Sequence, residues 1–296
     1  MSHALGIDIG GTKIAAGVVD CGTGAVSARQ QIATDLRHGP DALLADVLAL
    51  AERTMVAGSQ SVAGIGVGVC ELVNHSGTII SGHTLGWEGR SIAPAFAKLA
   101  PRVAIDGDVF AHALAEARFG IGRQYDPFVY VTIGTGISSC LVIGGRPYRG
   151  AHGGALVLAT GQQTYYDADG GARRFALEEF ASGPAIATRY RQASGAHIVR
   201  AETVLAAADG GDLLAIQVVD SAAIALGSAI GWLINLLDPA AVVLGGGLGL
   251  AGGTYKRRLL AAAREHSWAP SSQETLILTT ALGPDSGIIG AALLAA

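Results

Sequence analysis

Residues 5–20 read LGIDIGGTKIAAGVVD, two apolar runs separated by two glycines and a Thr-Lys pair. Runs rich in Ile and Val with a short glycine joint are typical of a β-hairpin, so we predict strands over 4–9 and 14–19 with a turn at 10–13. Asp8 lies inside the first apolar run. Burying an unpaired carboxylate costs roughly several kcal/mol, so we expect Asp8 to meet a cation or water where the strand ends.

The same pattern returns later in the chain. DIGGT at 8–12 aligns with TIGTG at 132–136, and each segment reads as strand, glycine turn and strand. A hairpin repeated at such a long interval predicts two similar α/β domains rather than a solenoid of short repeats. Segments with helical spacing, such as 40–57 and 109–120, alternate with further apolar runs and also indicate the α/β class.

Glycine and charge interrupt the apolar pattern at 120–126, where we place the linker between the two domains. We therefore predict an N-terminal α/β domain of residues 1–120 and a C-terminal α/β domain of residues 121–283. The closing helix, 284–296, is expected to pack back on the N-terminal domain. Residues 155–220 are predicted to be mainly helical.

The composition excludes several classes of protein. Of 296 residues, 50% are hydrophobic and 15% are charged, which supports a large core and excludes a disordered chain. The net charge is −4 and basic residues form no tract, so we expect no nucleic-acid partner. The uncharged apolar stretch 221–237 is slightly short for a membrane span and lacks basic flanks, so we interpret it as a buried helix.

The N-terminus and the cysteines predict the compartment. The Met-Ser-His start shows none of the features of a signal peptide. The three cysteines are isolated, which argues against a disulfide framework and against a cysteine zinc site. We therefore expect a cytoplasmic protein with no membrane partner.

The glycine turns match neither a Walker loop nor a dinucleotide-binding fingerprint, because the spacing differs and a strand follows. A tight glycine turn can nevertheless direct successive backbone N–H groups at a phosphate. Thr12 would add a hydroxyl and Lys13 a positive charge, and Asp8 would hold Mg²⁺ directly or through water. The turn at 134–136 would face the first across a cleft, and 245–247 would form a third wall beside the nucleoside. Each turn alone is equally well explained as an ordinary hairpin turn. The candidate phosphate- and ATP-binding residues are Asp8, Gly10, Gly11, Thr12, Lys13, Thr132, Gly134, Thr135, Gly136, Gly245, Gly246 and Gly247.

Eight segments in order carry a resemblance to a known family. They are GIDIGGTK (6–13), LGWEG (85–89), VAIDGDVFAHALAE (103–116), IGTGISS (133–139), YRGAHGGA (148–155), LEEFASGPAI (177–186), VVLGGG (242–247) and SGIIGAALLA (286–295). Together they resemble the ROK family of repressors and sugar kinases, within the actin-like ATPase superfamily. The resemblance implies a two-domain actin-like ATPase (ribonuclease H-like) fold with an interdomain cleft. It also implies a homodimer and ATP-dependent phosphorylation, with Mg²⁺, of a hydroxyl on a small-molecule sugar or polyol.

Asp108 is the candidate catalytic residue. It lies where a predicted strand gives way to a helix, and the resemblance implies that it is the general base. Its role would be to take the proton of the acceptor hydroxyl while orienting that oxygen on the γ-phosphate. From the residue pattern alone, a helix N-cap is the default interpretation of Asp at such a junction, and the two roles are compatible.

The substrate side matches the family less well. Glu178 corresponds to a family glutamate that reaches the sugar, although a solvated helix face explains it equally well. Gly107 stands where family sugar kinases usually carry Asn beside the catalytic Asp. The polar residues Glu71, His83 and His152 are candidates of lower rank that would replace lost contacts. The candidate substrate-binding residues are therefore Glu71, His83, Gly107, Asp108, His152 and Glu178.

Two family features are missing. Val157 and Thr160 replace a glutamate and a histidine of the sugar site, and the cysteine positions of the family's zinc segment fall on Asp169, Gly171 and Ala176. We therefore expect no zinc site. Replacing a charged hydrogen-bonding residue by Val costs roughly 1.5–3 kcal/mol toward a hydroxyl-rich partner, so we do not expect a standard glucokinase.

Two alternatives remain open at this point. The first is a non-catalytic sugar- or nucleotide-binding member of the family, against which the retained Asp8 and Asp108 argue. The second is a transcriptional repressor of the same family. Such repressors carry a DNA-binding helix-turn-helix before the first phosphate motif, and here that motif begins at residue 5, which we interpret as leaving no room.

Overall fold

The structure is a computed structural model, and it describes residues 3–159, 161–166, 172–197 and 200–296. The strands in these ranges are β1 (His3–Ile9), β2 (Lys13–Asp20), β3 (Val26–Ala33), β4 (Val62–Val69), β5 (Val103–Gly107), β6 (Phe128–Ile133), β7 (Ile137–Ile143), β8 (Arg146–Pro147), β9 (Gln162–Tyr166), β10 (Ala172–Ala176), β11 (Ala241–Gly245) and β12 (Leu276–Thr279). The helices are α1 (Pro40–Gly58), α2 (Ala93–Phe96), α3 (Asp108–Arg118), α4 (Leu177–Ala181), α5 (Gly183–Ser194), α6 (Ala201–Asp209), α7 (Leu213–Leu237), α8 (Gly246–Gly249), α9 (Gly253–His266), α10 (Pro270–Gln273) and α11 (Ser286–Leu294), with 3-10 turns at Ile121–Gln124 and Gly283–Asp285.

Two five-stranded sheets organise the described residues. The first has the order β3-β2-β1-β4-β5, in which β1, β4 and β5 run parallel and the β1–β2–β3 meander is antiparallel. The second has the order β12-β11-β6-β7-β8, in which β12, β11 and β6 run parallel. Strands β9 and β10 pair separately. Helices accompany both sheets, which confirms the predicted α/β class.

The chain divides into two compact units. The first comprises residues 1–126, 140–155 and 280–296, and the second comprises residues 127–139 and 156–279. The domains predicted from the sequence differ from this division in residues 121–126, 140–155 and 280–283.

The core of the first unit lies on both faces of its sheet. Successive side chains of a strand point to opposite faces, so Leu5, Ile7 and Ile9 of β1 pack in the cluster that includes α1. Ala4 belongs to the opposite cluster, which α11 and the end of α3 complete. The same alternation places Asp8 on the face that α11 covers.

Close approach of α11 explains glycines in the middle of two strands. A Cβ added at Gly6 would lie 1.9 Å from Ile288 O, and one added at Gly66 would lie 1.7 Å from Ala291 O. Because both neighbours are backbone atoms of α11, the helix rests directly on the sheet only where these strands carry no side chain.

The stretch 155–220 is mainly helical in its described residues, as predicted, but it also contains the strands β9 and β10. These two strands and β3 were not predicted. A sequence signal for the β9–β10 pair exists, since a Thr-Tyr-Tyr run followed by Asp-Ala-Asp-Gly-Gly is typical of a strand and a turn. The predicted glycine loop after β11 begins instead with the helical turn α8.

Helix α7 contains the long uncharged stretch noted in the sequence. It is long and apolar enough to cross a membrane by length and composition, and 44% of its most apolar window is buried inside the protein. A core helix of a globular domain passes the same test, so this helix is weak evidence for a membrane span. Its buried side packs on α6 and α9 within the second unit.

Candidate active site

The parallel strands of the first unit end at one edge of their sheet. In the strand registers, Asp8 and Asp106 occupy one row on either side of β4. The residues that follow the three strands at this edge are Gly10, Cys70 and Asp108. Because neighbouring strands lie about 4.8 Å apart, Asp108 is roughly 10 Å along the edge from Gly10. Ligands of α/β proteins usually bind at the carboxyl ends of parallel strands, so we take this edge as the candidate active site.

Asp108 opens helix α3. Gly107 occupies the N-cap position before it, and the backbone N–H of Val109 donates to Asp108 Oδ1 at 2.6 Å. The structure thus gives the cap position to Gly107 rather than to Asp108. The positive end of the helix dipole favours the ionised carboxylate that a general base requires. The assignment of Asp108 as that base stays a prediction.

Three acidic residues named from the sequence surround one thiol. The pKa of Cys70 is raised, first by burial and then by the negative charges of Asp108, Glu71 and Asp8. Charges shift a neighbouring group in this way over short distances. In the strand registers, Asp8, Glu71 and Asp108 lie at the ends of the adjacent strands β1, β4 and β5.

The space beside Asp8 depends on a glycine of the closing helix. A Cβ added at Gly287 would lie 2.3 Å from Asp8 Oδ2 and 3.0 Å from His112 Cε1. His112 lies one turn after Asp108 on α3, and its Nδ1 is 2.7 Å from Ser286 Oγ. Among the described residues, no group of three His, Cys, Asp or Glu side chains could hold a metal ion. Asp8 offers a carboxylate oxygen, which is a ligand type that Mg²⁺ prefers.

The glycine turn of the first unit is held by a residue that the sequence did not indicate. Gly10 N donates to Lys13 O at 3.0 Å. Thr34 Oγ1 donates to Gly10 O at 2.7 Å, and Thr34 N donates to Thr12 O at 3.1 Å. Thr12 and Lys13 are exposed. The turn is thus fixed from the β3 side while its hydroxyl and ammonium groups face solvent.

Asp106 and Arg149 form an ion pair next to the corner between β5 and α3. Arg149 Nη2 lies 3.0 Å from Asp106 Oδ1, and Gly107 N donates to the same oxygen at 2.8 Å. Burial raises the pKa of Asp106 to about 6, and the Arg149 charge opposes that rise. Arg149 Nη2 also donates to Asn74 O at 3.3 Å. The pair therefore ties the β5–α3 corner to two loops, and neither Asp106 nor Arg149 was a sequence-predicted site residue.

The histidines named from the sequence lie at the surface of the first unit. The side chain of His83 is exposed, and its backbone N–H donates to Glu71 Oε2. His152 lines a cavity of about 390 Å³ together with His75 and Ile80. His75 Nε2 is 2.9 Å from Gly150 O, so it links the two loops that form the cavity. The roles of His83 and His152 in substrate binding stay predictions.

In the second unit, two glycine segments adjoin at the ends of parallel strands. Thr132 and Gly245 are register partners on β6 and β11. Gly134 N donates to Gly136 O at 2.9 Å, and a Cβ added at Gly134 would lie 3.8 Å from Gly247 N. The turn at 134–136 and the segment 245–247 therefore form one surface within this unit.

The half-buried side chain of Glu178 contacts the turn at 134–136 and does not lie on a solvated helix face. Ile137 N donates to Glu178 Oε2 at 2.7 Å, and Glu178 N donates to Ala159 O at 3.0 Å. Glu179 is the exposed neighbour. The direct contact of Glu178 with a sugar stays a prediction.

The other altered positions are described only in part. Val157 is 41% exposed in the second unit. Thr160, Asp169 and Gly171 lie outside the described residues, so the structure does not test their replacement of family residues.

A family model described as ROK family matches residues 4–296. The chain belongs to the ROK family. This ROK chain is 32% identical over 307 residues to the N-acetylgalactosamine kinase AgaK of Shewanella sp. (strain ANA-3), covering 98% of this chain and 95% of that relative. It is 28% identical over 333 residues to a glucokinase of Streptomyces coelicolor, covering 100% and 98%.

Solved ROK structures share the fold. A ROK family glucokinase from Streptomyces griseus, in complex with glucose and AMPPNP, has a TM-score of 0.81 and 25% identity over 99% of both chains. The ROK hexokinase of Thermus thermophilus has a TM-score of 0.80 and 28% identity, covering 99% of this chain and 97% of that one. The predicted two-domain α/β fold of the actin-like ATPases is therefore confirmed.

Proposed function

We propose that this ROK protein is an ATP-dependent kinase that phosphorylates a hydroxyl of a sugar or polyol. The observation that carries the proposal is the position of Asp108, which shares one strand edge with Asp8 and the glycine turn at 10–13. Relatives named as glucokinase and N-acetylgalactosamine kinase support the reaction class. The glucokinase structure that holds AMPPNP supports ATP as the donor.

Each part of the site has a role in this reaction. Asp108 accepts the proton of the acceptor hydroxyl and orients its oxygen on the γ-phosphate. Backbone N–H groups of the turn at 10–13, with the exposed side chains of Thr12 and Lys13, bind phosphate oxygens. In the second unit, Thr132 and the turn at 134–136 bind phosphate, and 245–247 bind the nucleoside.

Asp8 is the residue that would hold Mg²⁺, directly or through water. The absence of a side chain at Gly287 leaves room at Asp8 Oδ2, and carboxylate oxygen is a preferred ligand of this ion. When bound, Mg²⁺ neutralises charge on the phosphates during transfer.

We further propose that the acceptor is not plain glucose. Gly107 and Val157 supply no hydrogen-bonding side chain at two positions where the family resemblance places Asn and Glu. Each lost hydrogen bond to a hydroxyl-rich acceptor costs about 1 kcal/mol or more. A less polar, smaller or differently oriented polyol fits these positions better.

We also propose that the protein is a cytoplasmic homodimer without nucleic-acid or membrane partners. The net charge of −4 supports the first exclusion. On the second unit, Trp232 is 59% exposed and Trp268 is 88% exposed. Exposed large aromatic side chains of this kind support association of the chain.

A coupled ADP-release screen over sugars and polyols tests the proposed reaction, with Asp108→Asn as the blank. The proposal predicts acceptor-dependent ADP release by the wild-type protein that the blank lacks. The alternative of a non-catalytic binding protein predicts calorimetric binding of ATP or sugar and no release with any acceptor.

A further inference from the structure

Glu71 is a buried carboxylate whose hydrogen bonds all go to one loop. The residue is 6% exposed and directly follows Cys70 at the end of β4. Glu71 Oε1 accepts from the backbone N–H groups of Thr84 at 2.7 Å and Leu85 at 2.9 Å. Glu71 Oε2 accepts from Ser81 Oγ and from His83 N, the latter at 3.3 Å.

The loop 81–85 therefore binds the Glu71 carboxylate as it would bind an anion. Three consecutive backbone N–H groups converge on it, as they do on anions in other proteins. Buried amides without an acceptor are costly. The conformation of the loop therefore depends on hydrogen-bond acceptors at position 71.

The loop in turn contacts the glycine turn. A Cβ added at Gly11 would lie 2.9 Å from Thr84 Cγ2, so the Thr84 methyl packs directly against the backbone of Gly11. On its other side, the backbone of Glu71 lies against the catalytic corner, since a Cβ added at Gly107 would be 3.3 Å from Glu71 O. Glu71 thus links the loop 81–85, the turn at 10–13 and the corner that presents Asp108.

We propose that Glu71 is a positioning residue for the acceptor: its carboxylate fixes the loop 81–85 against the glycine turn, and the fixed loop holds the acceptor in register with Asp108. The inference rests on the proposed function. It replaces a direct contact between Glu71 and substrate, because both carboxylate oxygens are already occupied by the loop. The turn itself is held separately by Thr34, so nucleotide binding does not depend on the clamp.

The test compares Glu71→Ala and Glu71→Gln with Glu116→Gln. Glu116 is a matched control, because it is a fully buried carboxylate of the same unit that accepts from a hydroxyl, Thr280 Oγ1, and from a backbone amide, Ile121 N, outside the proposed site. A Gln at position 71 can keep the bonds to Thr84 and Leu85, whereas an Ala keeps none. All variants are assayed on the acceptor that the ADP-release screen identifies.

We expect the KM for the acceptor to rise at least tenfold in Glu71→Ala and about threefold to tenfold in Glu71→Gln, with the KM for ATP within threefold of wild type. Glu116→Gln lowers thermal stability and leaves the acceptor KM within twofold. Hydrogen exchange of the 83–85 amides in the unliganded protein becomes at least tenfold faster in Glu71→Ala. In Glu71→Gln only the His83 amide, which loses its acceptor Oε2, exchanges at least tenfold faster.

An acceptor KM within threefold of wild type in folded Glu71→Ala would overturn the inference, and so would unchanged exchange of the 83–85 amides. If Glu71→Ala does not fold, the acceptor KM and the exchange of the His83 amide are measured on Glu71→Gln. Failure of the proposed function is distinguishable, since the wild-type protein would then release no ADP with any acceptor, while the exchange measurement would still report on the clamp.

Discussion

Removing the charge of Arg149 tests whether the Asp106–Arg149 pair stabilises the corner between β5 and α3, where Asp108 lies. The substitution is Arg149→Met, which keeps the unbranched stem and deletes the guanidinium. Asp106 is 5% exposed, and its pKa of about 6 already reflects burial opposed by the Arg149 charge. Without that charge the pKa of Asp106 rises further, so the carboxyl takes up a proton at neutral pH.

The loss of stability in Arg149→Met depends on pH, and the raised pKa of Asp106 determines in which direction. Because burial raises the pKa of Asp106 from its ordinary value of 3.8 to about 6, the contribution of Asp106 to stability is fully present below pH 4 and is lost as the pH rises through 6. Arg149 limits this loss. Breaking a buried ion pair costs about 3–5 kcal/mol, and the 29% exposure of the Arg149 side chain puts this pair near about 2–3 kcal/mol at pH 8. At pH 5 Asp106 is mostly protonated with or without Arg149, so about 1 kcal/mol remains from the bond to Asn74 O.

Thermal unfolding at the two pH values measures the difference. For a unit of this size, 1 kcal/mol corresponds to about 2–4 °C in Tm, so we expect Arg149→Met to lower Tm by about 4–12 °C at pH 8 and by about 2–4 °C at pH 5. Arg146→Met, an exposed arginine three residues earlier, is the control and changes Tm little at either pH. An equal or larger loss at pH 5 would refute the electrostatic reasoning.

Two further substitutions test close approaches of the closing helix. Gly287→Ala places a Cβ 2.3 Å from Asp8 Oδ2, so under the proposed function we expect calorimetry to show at least tenfold weaker Mg-ATP binding with an unchanged circular dichroism spectrum; unchanged affinity would show that Asp8 does not need that space. Gly66→Ala places a Cβ 1.7 Å from Ala291 O, so we expect the free energy of unfolding to fall by about 3 kcal/mol or more. Gly252→Ala, where nothing lies within 4 Å of the added atom, is its control, and equal Tm values for the two variants would contradict the packing argument.

The local pattern predicted the hairpins and the strand ends that carry the candidate site. Alternating Ile and Val around Gly10 specified β1, its turn and β2, because strand period and turn chemistry are local properties. Asp8 and Asp108 could be placed at strand ends for the same reason. Their common edge then follows from the parallel register of β1, β4 and β5.

The hydrogen-bond and ion-pair partners of the site residues could not be predicted from the sequence. Arg149 reaches Asp106 across 43 positions, and Thr34 reaches Gly10 across 24. Nothing in the composition of either segment specifies such a pairing, since any exposed loop can carry Arg or Thr. Glu71 was noticed as a departure from the family pattern, but its four bonds to the loop 81–85 depend on a backbone conformation that only the folded chain defines.

The glycines show the same division between local and long-range information. The glycines at 10–11 and 134–136 directly follow apolar runs, so the sequence predicts turns there. Gly6 and Gly66 lie inside strands, and the group that approaches them is the backbone of α11. The local sequence of a strand cannot predict its contact with a helix that lies more than 200 residues away along the chain.

The most direct test of the proposed reaction is the turnover number of Asp108→Asn on the acceptor that the wild-type protein uses. Asn keeps the size of the side chain and cannot accept the hydroxyl proton, and general-base catalysis contributes about 10²–10⁴-fold. We expect kcat to fall at least 10²-fold with the Kd for ATP within threefold of wild type, while Asp46→Asn, the same change at an exposed position of α1, leaves both unchanged. A kcat for Asp108→Asn within tenfold of wild type would contradict the assignment of Asp108 as the base.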